Sequence, residues 1–381
     1  MRVALFTNNY LPFRGGVTTS VETLRQGLVE RNHRTWVFAP ASNPPADDPA
    51  WVFRYPSIPA PTYPGFALAL PFSPRLARVV AELSPDVVHA QHPFLLGPAA
   101  RRVARRHRRP FVFTHHTRYE KYAHYVPLPQ RLVARLAIRL SCRFAASADL
   151  VVAPSARIAA TLCERGVTAP IAVIPTGVPL DLFCPGDREV ARRALGVPAE
   201  ARVCLYVGRL DREKSIDHII DAFAAIAEAL PDAHLSLVGQ GTYEQIARRR
   251  AAASRVEARI HFHGGKPREA LPVFYRAADL FLFTSQTETQ GLVLAEAHAS
   301  GLPAVAMQAS GVDEVVRDGE TGVLTKPEPR ELAEAAIALL LDPERRRAMA
   351  RTARTVAEQE FSATRQVESM VAHYARLLGS A

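Results

Sequence analysis

Short, continuous apolar runs alternate with longer amphipathic segments along most of this chain. Runs at 3–6, 35–38, 86–90, 111–114, 149–153 and 171–174 are four or five residues long. Apolar character over that length, without alternation, predicts strands buried on both faces, as in a parallel sheet. Helices are predicted at 18–30 and 128–146, and from 157 onward behind Ser155 as N-cap. A second series follows, with strands at 203–207, 234–238, 260–263 and 280–283. Its helices fall at 216–229, 268–277, 292–299, 331–340, 343–360 and 364–378. Strand–helix alternation in two series predicts two α/β domains with parallel sheets. The stretch PTGVPLDLFCPGD at 175–187, with three prolines and two glycines, reads as the linker between them. Residues 40–75 are proline-rich with little periodicity, and an irregular excursion is expected there.

A chain of 381 residues is comfortable for two cores. Cys142, Cys163, Cys184 and Cys204 are scattered, with no C-x-x-C and no histidine at metal spacing. That pattern points to a reduced, cytoplasmic protein with no bound metal. The opening MRVALFTNNY reads as a strand and not as a signal peptide. No run of about 18 apolar residues exists, so no spanning helix is expected.

Charge changes the picture more than composition does. Residues 1–175 hold 22 Lys and Arg against 9 Asp and Glu, while the remainder holds 25 against 28. The basic excess therefore belongs to the first domain and suggests an anionic partner. Six of its arginines fall within RRVARRHRRP, and Arg131, Arg135, Arg139 and Arg143 recur every four residues on a predicted helix. Leu132, Leu136, Ile138 and Leu140 give the same helix an apolar side. No RNA- or DNA-binding signature interleaves these charges, so no nucleic-acid partner is expected. An anionic membrane surface is the better match.

The candidate chemistry clusters at carboxyl ends of predicted strands, where open α/β sheets bind ligands. After strand 280–283, a polar loop carries Glu288 and ends at Gly291, and the following helix carries Glu296. The helix N-terminus suits a phosphate, and the two carboxylates suit sugar hydroxyls. A nucleotide-sugar has both. The same residues also read as a surface glutamate and a helical salt-bridge partner. After strand 203–207, GRLDREKS puts Arg209 and Lys214 before another helix, a combination that suits a diphosphate. Pairing with Asp211 and Glu213 on the surface is the plainer reading. Gly15–Gly16 and Gly239/Gly241 allow close backbone approach, each a weak signal alone. Strand 111–114 ends on His115 and His116. The G-x-G-x-x-G fingerprint of a dehydrogenase is missing.

Taken together, E-T-Q-G-L-V-L-A-E at 288–296, the flanking F-T-S and A-S-G-L-P-A-V-A, and His116–Thr117 resemble the retaining family 4 glycosyltransferases of GT-B fold. The resemblance covers nearly the whole chain. The run H-H-T-R-Y-E-x-Y-x-H-Y-V-P is most similar to the members that glycosylate diacylglycerol. The resemblance implies a GT-B fold, two Rossmann-like domains facing a cleft: 1–178 on the acceptor side and 179–361 holding the donor. Helix 362–381 would return to the first. It further implies that Glu288 contacts the transferred hexose and Glu296 the ribose. Thr289, Gly291, Leu292, Gly239, Gly241 and Lys266 would complete the donor site, with Gly15 and Gly16 facing the diphosphate. Arg209 and Lys214 would neutralise that diphosphate without a metal, and His116 would lie near the hexose. Arg118, Tyr119, Tyr122 and Tyr125 would line the acceptor side. The expected reaction moves a hexose, as from UDP-glucose, to a glycerolipid hydroxyl with retention, at the inner face of the cell membrane. No carboxylate stands out as a covalent nucleophile, which favours a front-face route in which the departing phosphate takes the acceptor proton. The alternatives are a GDP-mannose- or UDP-sugar-dependent transferase with a soluble or polysaccharide acceptor, a sugar-nucleotide epimerase of the same fold, or an inactive nucleotide-binding partner.

Overall fold

The computed structural model describes residues 1–42, 46–60, 66–126 and 128–379. The chain divides into two compact units. The first comprises Met1–Gly177 and the C-terminal helix Ala363–Gly379, and the second Val178–Ser362.

The first unit is built on β1 (Arg2–Phe6), β2 (Arg34–Pro40), β3 (Val52–Tyr55), the short hairpin β4 (Ser57–Pro59) and β5 (Ala67–Ala69), then β6 (Val87–Ala90), β7 (Phe111–Thr114), β8 (Leu150–Ala153) and β9 (Ile171–Val173). Seven of these form a parallel sheet in the order β3-β2-β1-β6-β7-β8-β9. Successive residues feed two different cores: Ala4 and Phe6 face one, and Val3 and Leu5 the other. Both faces are therefore dry, which is why these strands read as unbroken apolar runs. The C-terminal helix belongs to the second of these cores through Val367, Met370 and Tyr374. It lies against the helix Gly16–Glu30 at Gly27, where a β-carbon would come within 2.4 Å of Val367.

The excursion at 40–75 is more regular than the sequence suggested. β3 extends the parallel sheet at its edge, and its four residues were hidden by the prolines on either side. Positions 43–45 and 61–65 of that excursion lie outside the described residues. The first seven residues of RRVARRHRRP belong to a helix, Leu96–His107, whose Ala99, Ala100 and Ala104 are buried while Arg102, Arg105 and Arg106 are exposed. The predicted helix 268–277 is a 3₁₀ turn, Arg268–Ala270, followed by the helix Pro272–Ala277.

The second unit carries β10 (Arg202–Val207), β11 (Ala233–Val238), β12 (Ile260–Phe262), β13 (Leu280–Phe283), β14 (Ala304–Met307) and β15 (Gly322–Thr325). Their order, β12-β11-β10-β13-β14-β15, is parallel throughout and reverses between β10 and β13. That reversal is the switch point of a doubly wound sheet, where ligands bind beyond the strand ends.

The helix Leu292–Ala299 is buried almost all round, and His298 on it is fully buried with both ring nitrogens lacking a partner among the described residues. Burial pushes this imidazole down to about 3. It is neutral when folded and takes a proton near the ordinary value once unfolded. Stability is thus full above about pH 6.5 and falls as pH drops toward the folded value. His298→Met should raise the unfolding free energy by about 1–3 kcal/mol at pH 7, by removing unsatisfied buried groups. At pH 5 the gap should widen by about 2 kcal/mol more. Urea unfolding at the two pH values measures both.

Candidate functional site

The loops after β10 and β13 meet at the switch point of the second sheet. Thr284, directly after β13, is fully buried, and its hydroxyl reaches the backbone oxygens of Lys214 at 2.8 Å and Ser215 at 3.0 Å. This lashes one loop to the other. Lys214 Nζ then donates to Glu288 Oε1 at 2.5 Å and lies 3.5 Å from Ser285 Oγ. Two residues 74 positions apart in sequence, singled out for different reasons, form one ion pair. Burial pushes the Glu288 carboxyl up, but Lys214, Ser285 and Arg209 together outweigh it, so Glu288 ends below its ordinary value.

Arg209 pairs with Asp211 and, at 2.8 Å, with Glu213. The plainer sequence reading therefore describes real contacts, but not surface ones, since both carboxylates are buried or nearly so. Asp211 also accepts from the backbone N and hydroxyl of Thr242, both at 2.8 Å. It thereby joins the loop after β10 to the glycine loop after β11. Gly239 and Gly241 have a purpose the sequence did not show. A β-carbon on Gly239, at φ 152°, would sit 1.8 Å from Gly208 O, and one on Gly241 would sit 2.3 Å from Leu210 O. The close approach they permit is loop against loop.

Glu296, eight positions after Glu288, is 3 % exposed. Arg268 Nη2 donates to its Oε1 and the Tyr275 hydroxyl to its Oε2, both at 3.1 Å. Burial raises its carboxyl above the ordinary value, against the pull of Arg268 and Tyr275. Arg268 and Tyr275 were not foreseen, because nothing in spacing links them to a residue more than 20 positions away. Gly291 is left-handed at φ 76° and caps the helix that starts at Leu292. Thr289 is half-buried in the loop between, and Lys266 is exposed on the loop after β12.

In the first unit, the sheet order reverses between β1 and β6. Asn8, after β1, donates its backbone N–H to His92 Nδ1 at 3.1 Å, and its side chain holds Phe94 O and Leu96 N. His116, after β7, lies 2.7 Å through Nε2 from Gln91 Oε1. Burial, with His92, His89 and His115 adding to it, pushes His116 well below its ordinary value, so it is neutral at pH 7. Residues Tyr119–Tyr125 form a 3₁₀ helix. Tyr119 packs edge-on against Phe94 and His115, and Tyr122 stacks on Tyr125. Arg118 lies 3.6 Å from Glu120, which Arg165 holds at 2.8 Å. Gly15 precedes the helix Gly16–Glu30, and a β-carbon at Gly16 would meet only open space.

Two Rossmann-like parallel sheets, the second with paired cations and carboxylates at its switch point, define a glycosyltransferase of GT-B fold. Residues 14–182 match the family model Glycosyltransferase Family 4, and residues 187–356 match Glycosyl transferases group 1. A GDP-mannose-dependent alpha-(1-6)-phosphatidylinositol monomannoside mannosyltransferase of Mycolicibacterium smegmatis is 32% identical, over 91% of each chain. The alpha-monoglucosyldiacylglycerol synthase of Acholeplasma laidlawii is 29% identical, over 85% of this chain and 84% of its own. HepE of Anabaena, solved in complex with UDP-glucose, superposes with a TM-score of 0.78 at 25% identity over 100% of both chains. The chain belongs to glycosyltransferase family 4.

Proposed function

We propose that the protein moves a hexose from a nucleotide-diphosphate sugar, UDP-glucose foremost, to a hydroxyl of a membrane glycerolipid such as diacylglycerol, with retention. The observation that carries the donor half is the Lys214–Glu288 pair at the switch point, with Arg209 close enough to act on the same carboxylate. On this reading Lys214 exchanges Glu288 for the donor diphosphate, and Glu288 turns to the hexose hydroxyls. The diphosphate leaves against Lys214, Arg209 and the N-termini of the helices Ile216–Ala229 and Leu292–Ala299. A front-face route then passes the acceptor proton to the departing phosphate. Relatives named for diacylglycerol and phosphatidylinositol acceptors support the lipid half. The test is a donor-by-acceptor screen with lipids in vesicles. A soluble or polysaccharide acceptor used as well as lipid would overturn the lipid assignment.

Glu288→Gln and Glu296→Gln should separate the two carboxylates. Both keep size and lose charge. The first should mainly lower kcat, because the hexose contact strengthens in the transition state, and the second should mainly raise donor KM. Near wild-type kinetics in both variants would reject the assignment.

The same proposal puts the acceptor side on an anionic bilayer, at the inner face of the cell membrane. No helix among the described residues is long and apolar enough to cross one. The helix Gln130–Ala145 supports that reading. Ile138 packs on the core, but Leu132, Leu136 and Leu140 are 60, 51 and 43% exposed, beside the exposed Arg131, Arg135 and Arg139. Leu128, just before the helix, is also exposed. An outward face of leucines and arginines fits the boundary between acyl chains and anionic headgroups. Each basic group contributes roughly 1 kcal/mol there. Changing Arg131, Arg135 and Arg139 to Gln should weaken binding to anionic vesicles about 100-fold, and salt should weaken the wild type. Co-sedimentation measures it. Equal partition to neutral and anionic vesicles would contradict it.

A further inference from the structure

We propose that His89 is a positioning residue for the site at the carboxyl edge of the first sheet. Tyr374 of the C-terminal helix orients its imidazole, and the imidazole holds the Thr114 hydroxyl at the end of the strand that leads to His116. The effect on turnover rests on the transferase reading above; the contacts and their direction do not.

Three elements build this relay. His89 lies on β6, Thr114 closes β7, and Tyr374 lies on the C-terminal helix. His89 Nδ1 is 2.6 Å from the Tyr374 hydroxyl, and Nε2 is 2.7 Å from Thr114 Oγ1. The Tyr374 ring also packs edge-on against the imidazole. His89 and Tyr374 are 0% exposed, and Thr114 is 7% exposed. Two residues further along each of the paired segments, the same relation repeats: Gln91 Oε1 meets His116 Nε2 at 2.7 Å. The relay therefore sits one rung below the candidate sugar contact.

Hydrogen count gives the relay a direction. Burial pushes the His89 imidazole down to about 3, so it is neutral at pH 7, with one N–H and one acceptor nitrogen. Each flanking hydroxyl brings one hydrogen, and neither has a second hydrogen-bond partner among the described residues. Two bonds use two of these three hydrogens, so one hydroxyl hydrogen is left over. With the ring proton on Nδ1, the spare hydrogen is that of Tyr374, deep in the core. With it on Nε2, the spare hydrogen is that of Thr114, the only one of the three with any exposure. A buried donor without an acceptor is the costlier arrangement. Hence Tyr374 O–H donates to Nδ1, and Nε2–H donates to Thr114 Oγ1. A joined polar chain in a low dielectric is stiff, because each bond polarises the next. It ties the end of β7, and the start of the loop carrying His115 and His116, to a helix from the other end of the sequence.

The test uses the full chain. In ¹⁵N spectra without substrate, the His89 ring, assigned by its loss in His89→Gln, should show a protonated Nε2 and a lone-pair Nδ1. A protonated Nδ1 would overturn the stated direction. Tyr374→Phe and Thr114→Val keep shape, and each breaks one bond of the relay. Tyr374→Phe should shift the ring resonances of His116. Each variant should lower kcat about 10- to 100-fold, as for a group displaced by about 1 Å, with the nucleotide-sugar KM unchanged. Both act through one chain, so the double variant should lose no more than the worse single one. His89→Gln keeps one donor and one acceptor, and should retain more kcat than His89→Leu. If the leucine variant does not fold, the Tyr374 and Thr114 variants decide. Losses that multiply in the double variant, or kcat unchanged in both single variants, overturn the positioning role. A wild-type chain with the stated tautomer and the His116 shift in Tyr374→Phe, but no transfer to any acceptor, would fail the transferase reading alone.

Discussion

Lys214→Ala is expected to lower kcat/KM for the nucleotide-sugar about 100- to 1,000-fold, the range seen when one preorganised donor to a developing anion is lost. The departing diphosphate gathers charge as the glycosidic bond breaks, and Lys214 is the cation held nearest the carboxylate assigned to the hexose. Its loss acts a second way. Glu288 is half-buried, and burial alone pushes its carboxyl up. Without Lys214 the opposing pull is weakened, Glu288 rises, and the acidic limb of the pH–rate profile should move to higher pH. Steady-state kinetics from pH 5 to 8, with and without Mg²⁺, measure both effects. Wild-type efficiency, or full restoration by Mg²⁺, would mean that the leaving group is stabilised elsewhere.

Asp279→Ala is expected to destabilise the second unit by about 3–5 kcal/mol, as for other buried pairs broken from one side. Asp279 immediately precedes β13, the strand that leads to the Glu288 loop. Its Oδ2 accepts from Arg192 Nη2 at 2.7 Å and from Val203 N at 2.8 Å, and its Oδ1 pairs with Arg188 at 2.8 Å. The Arg192 side chain is 1% exposed and also holds Ala277 O and Ala199 O. Removing the carboxylate strands that guanidinium in the core. Replacing both partners, Asp279→Leu with Arg192→Met, should recover most of the loss, because the pair itself contributes little beyond its desolvation. Urea unfolding of the single and double variants decides it. A loss under about 1 kcal/mol in Asp279→Ala would show that the core tolerates the unpaired charge.

The strands were legible because both faces of each parallel sheet are covered, so burial wrote itself as unbroken apolar runs such as 280–283. The helix 292–299 was legible for another reason: glycines at both ends set its limits. What stayed hidden was short or long-range. β3 has four residues between prolines, and its place at the sheet edge comes from pairing with β2. Arg268 reaches Glu296 and Asp211 reaches Thr242 across the fold, and no local pattern encodes such contacts. The exposed leucines of 132–140 had the spacing of an apolar face. Only the structure distinguishes a face turned to the core from one turned outward.

The central claim is transfer, and the most direct measurement is release of nucleoside diphosphate from UDP-glucose by the wild-type protein, with and without diacylglycerol in anionic vesicles. Hexose transfer predicts release that depends on the lipid and matches glycolipid formed, mole for mole. Release at the same rate without acceptor, or none in its presence with any nucleotide-sugar tried, would contradict it.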